Sequence, residues 1–191
     1  MTRSSLSDKF LEKCYKYRNK LVAVPLMVAI FVTWGEYEKW HVIWLGGGIV
    51  YLLGLLLRIW AQQHLHFRLG MEMKLTRSGP YSYVRNPIYI GNTLICIGIG
   101  IMSELLWLVP FIILTCCFVY HFTVLHEERK LTKLYGEEYL MYANEVPRWM
   151  PKWGKKAQLG MVGQYLGLSL RAEAYNLLLI LPVVVKELFA R

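Results

Sequence analysis

The sequence predicts an all-α protein, a multi-pass transmembrane helical bundle of about five spans with a cytoplasmic N-terminus, and three observations carry that prediction. Long apolar runs recur along the 191 residues; 55% of the chain is hydrophobic, with a mean hydropathy of +0.33; and lysine and arginine alternate in density from one connection to the next. So apolar a composition is ordinary for a multi-pass membrane protein and excessive for a soluble domain. The net charge of +9 is interleaved with the apolar runs rather than gathered in one patch, so membrane topology explains it and no nucleic-acid partner is expected.

Residues 1–20 are polar and basic, without the form of a cleaved signal, and insertion is expected to use the first span itself. Apolar segments at 21–34, 42–60, 88–102, 105–125 and 174–189 read as the helices. The first and third fall short of the roughly 20 residues a perpendicular span needs, so they extend into flanking sequence or sit in thinned bilayer. Pro182 interrupts the last, and Lys186 near its end is placed to snorkel to an interface.

Lysine and arginine number six in residues 1–20, one in the first connection (Lys39), five from Arg58 to Arg85, none around Ser103-Glu104, eight from Arg129 to Arg171 and two thereafter. This alternation obeys the positive-inside rule with both polar loops, 61–87 and 126–173, on the cytoplasmic side. Trp34, Tyr37, Trp40 and Trp44 then form an aromatic belt on the opposite face. Gly46, Gly47, Gly48, Gly54, Gly98 and Gly100 are small residues that let helices approach closely. Cys14, Cys96, Cys116 and Cys117 show no disulfide framework and read as buried thiols. Residues 152–173, with Lys152, Lys155, Lys156 and Arg171, read as a connection to the last helix, with basic side chains suited to anionic headgroups.

Two polar stretches point to chemistry. In the first, Gly79-Pro80 marks a turn, Asn86 suits a helix N-cap and Pro87 the first helical position, and Gly91 allows close approach. A helix starting there aims unpaired N–H groups into the loop beside Arg85, an anion-binding corner. A capped membrane helix with an interfacial arginine and tyrosines has the same local features. The second stretch holds Glu127 and Glu128, then Tyr135, Tyr139 and Tyr142 in a four-then-three rhythm on one helical face. Such a face covers a cofactor or rests on the membrane. His64 and His66, two apart, diverge on a helix, and no Glu-x-x-His pair accompanies His121 and His126, so no metal site is expected. No phosphate loop, dinucleotide fingerprint or Gly-x-Ser-x-Gly elbow is present.

Taken together, Gly79-Pro80-Tyr81, Val84-Arg85-Asn86-Pro87-Ile88-Tyr89-Ile90-Gly91 and, after one span, Glu127-Glu128, Leu131, Tyr135-Gly136-Glu137-Glu138-Tyr139, Tyr142, Val146-Pro147-Arg148 and Pro151 resemble the isoprenylcysteine carboxyl methyltransferase superfamily, which includes phospholipid N-methyltransferases. The resemblance covers about residues 52–151 of what reads as a single domain spanning 1–191. It implies an S-adenosylmethionine-dependent enzyme methylating a lipophilic, membrane-borne acceptor, with the active site facing the cytoplasm of a bacterial inner membrane or endoplasmic reticulum. Membrane lipids are the other expected partners.

By position, the resemblance assigns cofactor binding to Lys74, Leu75, Thr76, Tyr81, Asn86, Pro87, Ile88, Tyr89, Glu127 and Glu128, with His66 near a further polar contact. Arg85, Glu127 and Arg58 are the candidate catalytic groups, Arg58 meeting the acceptor's head unless it merely snorkels. Two departures stand out. The family usually has Arg-His-Pro where this chain has Arg85-Asn86-Pro87, and Thr123 falls where eukaryotic carboxyl methyltransferases carry a substrate-holding arginine. Both leave the acceptor open between a prenylcysteine carboxylate and a lipid amine. A non-catalytic membrane scaffold or small transporter, its arginines and glutamates in interfacial ion pairs, is the reading from another class.

Overall fold

The computed structural model describes residues 3–32, 40–70, 74–151 and 163–190, and these are helical apart from short connections. The helices are α1 (Arg3–Phe31), α2 (Trp40–Gly70), α3 (Pro87–Met102), α4 (Leu108–Tyr135), α5 (Glu137–Glu145), α6 (Leu166–Leu178) and α7 (Ile180–Ala190), with single 3-10 turns at Gly79–Ser82 and Gly163–Tyr165. Among the described residues, three stretches are long and apolar enough to cross a membrane: His41–Leu65, Leu108–Tyr135 and Leu166–Phe189. Helix α3 is apolar but has only 16 residues. Leucines 45, 52, 53 and 56 of α2 and Phe111, Leu114 and Phe118 of α4 are exposed, as lipid-facing positions of an integral membrane protein must be.

Packing follows small residues. Helices α2 and α3 run antiparallel with Gly47 against Gly98 and Gly54 against Gly91. A Cβ on Gly54 would stand 2.7 Å from the Gly91 carbonyl oxygen, and one on Gly98 would stand 2.6 Å from the Tyr51 nitrogen. The backbones therefore touch, and dispersion between closely packed helices replaces the hydrophobic drive that lipid does not supply. Helix α1 packs on α4 and α6 on α2, around a core that includes Leu26, Tyr51, Leu55, Ile95, Ile99, Ile112 and Val124.

Helix α4 sets the height of the site. Its 28 residues reach roughly 42 Å at 1.5 Å per residue. A hydrocarbon core of about 30 Å leaves the last turns, from Glu127 onward, projecting beyond it. Gly136, at φ 53°, ends the helix and turns the chain into α5. The N-terminal half of α1 lies at this same end: Arg129 pairs with Asp8, and the rings of Phe10 and Phe122 stand 5.1 Å apart.

Several expectations change in the folded chain. Residues 166–173 belong to the last apolar stretch, not to its connection, which begins the span earlier than residue 174. The Lys186 ammonium donates to the carbonyls of Ala29, Val32 and Ser103 at 3.1, 2.6 and 3.1 Å, capping the ends of α1 and α3. Cys117 is exposed while Cys14, Cys96 and Cys116 are buried. Trp44 is partly buried against the core. Trp34, Tyr37, Lys152, Lys155 and Lys156 lie outside the described residues, as do the side chains of Trp40 and His66.

Candidate functional site

The two polar stretches meet. Arg85 donates its backbone N–H to the Pro147 carbonyl at 2.9 Å, and the Tyr142 hydroxyl donates to the Tyr81 carbonyl at 2.8 Å. Between them lies a cavity of about 350 Å³, lined by Leu65, Leu75, Thr76, Tyr81, Arg85, Asn86, Pro87, Ile88, Tyr89, Glu127, Glu128, Lys130, Leu131, Tyr139 and Tyr142. That volume lies within the range of small-ligand sites.

The first wall is the loop into α3. Its 3-10 turn begins at Gly79, whose φ of 59° and missing side chain make room for His64; a Cβ there would meet the imidazole at 2.3 Å. His64 is buried, its Nδ1 lies 2.8 Å from the Ser78 hydroxyl, and the turn is thereby pinned to α2. Pro87 is the first residue of α3, and Asn86 holds the N-cap position. The Asn86 side chain makes no cap bond, however; its amide donates instead to the Arg148 carbonyl at 3.3 Å. The first-turn N–H groups of α3 are thus left for another acceptor.

The second wall is acidic. Glu127 accepts from the Tyr89 hydroxyl at 2.6 Å. Glu128 takes Arg148 in a two-point pair at 2.9 and 2.5 Å and lies 3.3 Å from Arg85. Through the hydrogen bond from its guanidinium to Glu128, Arg148 is held above its ordinary value and stays charged. Burial pushes the Tyr139 phenol up to about 12 and raises that of Tyr142 as well, so both rings face the cavity neutral. Two polar atoms of the wall are buried without a hydrogen-bond partner, Thr76 Oγ1 and Arg85 Nε.

The cavity therefore gathers Leu75, Thr76, Tyr81, Asn86, Pro87, Ile88, Tyr89, Glu127, Glu128 and Arg85. Lys74 is exposed and outside the lining. Arg58 is elsewhere: it is buried among α2, α3 and α6, its guanidinium donating to Glu173 at 2.6 and 2.8 Å and to Asn92. Lys130, Leu131, Tyr139 and Tyr142 were not among the residues assigned by position, though the tyrosine rhythm had marked that face. Thr123 is fully buried on α4, with no partner for its hydroxyl. Glu173 gave no signal beyond being a single acid beside an apolar run.

A second cavity, of about 360 Å³, lies between α3 and α4 and is lined by Ile90, Thr93, Leu94, Cys116, Cys117, Tyr120, His121 and Trp149. It is separated from the first by Tyr89 and Tyr120, whose ring centroids are 4.9 Å apart.

Residues 42–138 match the phospholipid methyltransferase family. Over 151 residues the chain is 25% identical to the nickel-cobalt-cadmium resistance protein NccN of Alcaligenes xylosoxydans xylosoxydans, covering 76% of this chain and 68% of that protein. Over 122 residues it is 29% identical to the cobalt-zinc-cadmium resistance protein CzcN of Cupriavidus metallidurans, covering 61% and 55% respectively. No solved structure matches it.

Proposed function

The chain belongs to the phospholipid methyltransferase family, within the isoprenylcysteine and phospholipid methyltransferase superfamily, and on that premise we propose that it is an S-adenosylmethionine-dependent methyltransferase acting on a lipophilic, membrane-borne acceptor. The observation that carries the reading is the cavity in which both polar stretches converge.

Its residues fit a zwitterionic nucleoside. Arg85, with one nitrogen unsatisfied, and the first-turn N–H groups of Ile88 and Tyr89, which the Asn86 side chain does not cap, would hold a carboxylate. Glu127, fixed by Tyr89, would accept from an ammonium. Thr76 offers an uncommitted hydroxyl, and Tyr81, Tyr139 and Tyr142 offer faces for a base or a cation. When bound, S-adenosylmethionine supplies an electrophilic methyl on a sulfonium, transferred by in-line displacement. The protein's share of such a reaction is positioning and exclusion of water, with no covalent machinery. Glu128, shared by Arg85 and Arg148, keeps the two stretches together while the site is filled.

A lipophilic acceptor is supported by the neighbouring cavity between α3 and α4, whose wall includes Ile90, Leu94 and Trp149. Within that class, two features favour an amine or another uncharged nucleophile over a prenylcysteine carboxylate. Thr123 stands where an arginine would be needed, and Arg58 is already committed to Glu173. Metal-ion resistance is carried by the relatives' names and is said of those proteins, not of this chain.

Calorimetric titration of folded, detergent-purified protein with S-adenosylhomocysteine is expected to show binding at one site. Absence of heat with folded protein would overturn the cofactor reading. Transfer of a labelled methyl group into a total lipid extract, followed by identification of the labelled species, then names the acceptor.

A further inference from the structure

We infer that Glu173, in α6 outside the matched region, is a positioning residue for the cofactor cavity and acts through Arg58 and Asn92. The inference rests on the cofactor reading above.

Glu173 is completely buried, in a stretch apolar enough to lie in a membrane. A carboxylate in such a place costs several kcal/mol unless it is paired, and even a paired one is often no more stable than well-packed apolar residues of the same size. Stability alone therefore does not account for it, and its geometry is specific. Both oxygens grip the Arg58 guanidinium, at Nε and Nη2, and Asn176 donates to one of them at 2.7 Å. Held from that side, Arg58 turns its third nitrogen, Nη1, to the Asn92 side-chain oxygen on α3. The stem of Arg58 is fixed as well, because its Cγ lies only 2.5 Å from where a Cβ of Gly91 would be.

From Asn92 the contacts lead to the cavity. Tyr120 lies against Tyr89, one turn before Asn92 on α3, and Tyr89 donates to Glu127 in the cavity wall. The path from Glu173 through Arg58 to Asn92, then one helical turn along α3 to Tyr89 and on to Glu127, thus crosses α6, α2, α3 and α4. It fixes the rotation of α3 about its axis, and that rotation aims both the first-turn N–H groups and the Tyr89 hydroxyl into the cavity. Without the Glu173 charge, Arg58 loses its two-point hold and Asn92 its fixed donor.

Two variants test this by affinity for S-adenosylhomocysteine and by thermal unfolding in the same detergent. Glu173→Gln keeps the shape and removes the charge. The double variant R58L/E173L removes both charges, and its melting temperature is expected to stay near that of the wild type. Both are expected to bind more weakly on the order of tenfold, a loss typical of a site coupled through intervening residues. Wild-type affinity in either folded variant overturns the inference alone. Loss of folding in both variants also overturns it, since the role would then be structural only. Absence of binding by the wild-type protein overturns the cofactor reading and this inference together.

Discussion

At Gly79 the backbone sits at φ 59° with the His64 ring where a side chain would stand. Gly79→Ala combines an unfavourable backbone region with a clash against a buried imidazole. It is expected to destabilise the folded protein by roughly 1–3 kcal/mol, read as a lower unfolding midpoint. Because the same turn carries Tyr81, the variant should also bind S-adenosylhomocysteine more weakly. At Glu127, a glutamine still accepts from the Tyr89 hydroxyl but carries no charge for an ammonium. Glu127→Gln is therefore expected to leave the melting temperature close to wild type and to weaken binding on the order of tenfold, the scale of a hydrogen bond to a charged group. Unchanged titration isotherms would remove Glu127 from the site. These residues were legible before the fold because their chemistry is local: turn glycines, a helix-starting proline and an acidic pair are visible as letters. What they did with their side chains was not. Asn86 sits at the cap position yet sends its amide to Arg148, a contact made 62 positions along the chain.

Among the elements, α5 shows how a short helix acts through two rings. Tyr139 and Tyr142 are buried beside Val146, Leu75 and Leu131. Burial puts the Tyr139 phenol at about 12 and raises that of Tyr142, whereas an unfolded tyrosine titrates near 10. The unfolded chain releases these protons first, so their contribution to stability is complete below about pH 10 and is lost as the pH rises towards 12. The unfolding midpoint should fall across that window, and Tyr139→Phe should lessen the fall. An equal decline in the variant would exclude Tyr139 as its source. The tyrosine rhythm was readable in the sequence, but the break at Gly136, which separates Tyr135 from α5, depends on a positive φ that the letters only permit. The pairing of α2 with α3 was half legible. Isolated glycines announce close packing, while the facing of Gly54 with Gly91 and of Gly47 with Gly98 follows from the antiparallel register.

For the molecule as a whole, the contacts of Asp8 with Arg129 and of Arg85 with Pro147 put the N-terminal helix, the loop before α3 and the end of α4 at one end of the bundle. The loop at Leu106 and Trp107 begins α4 at its other end. In a cysteine-free background, single cysteines at Asp8 and Lys133 should react with an impermeant thiol reagent from one side of the membrane and a cysteine at Trp107 from the other. Labelling of Asp8 and Lys133 from opposite sides would refute the shared sidedness.

The sequence by itself determined the helical membrane class and the two polar stretches that carry the candidate site, because apolar run length, charge alternation and turn chemistry are written in neighbouring residues. Only the tertiary structure decided the fate of the charges inside the bundle. Arg58 read as a group that meets an acceptor or snorkels, and Glu173 carried no signal, since each stands alone on its own helix. Folding brings them together across 115 positions, and a charge that is prohibitive alone in a membrane becomes admissible once an opposite charge closes on it.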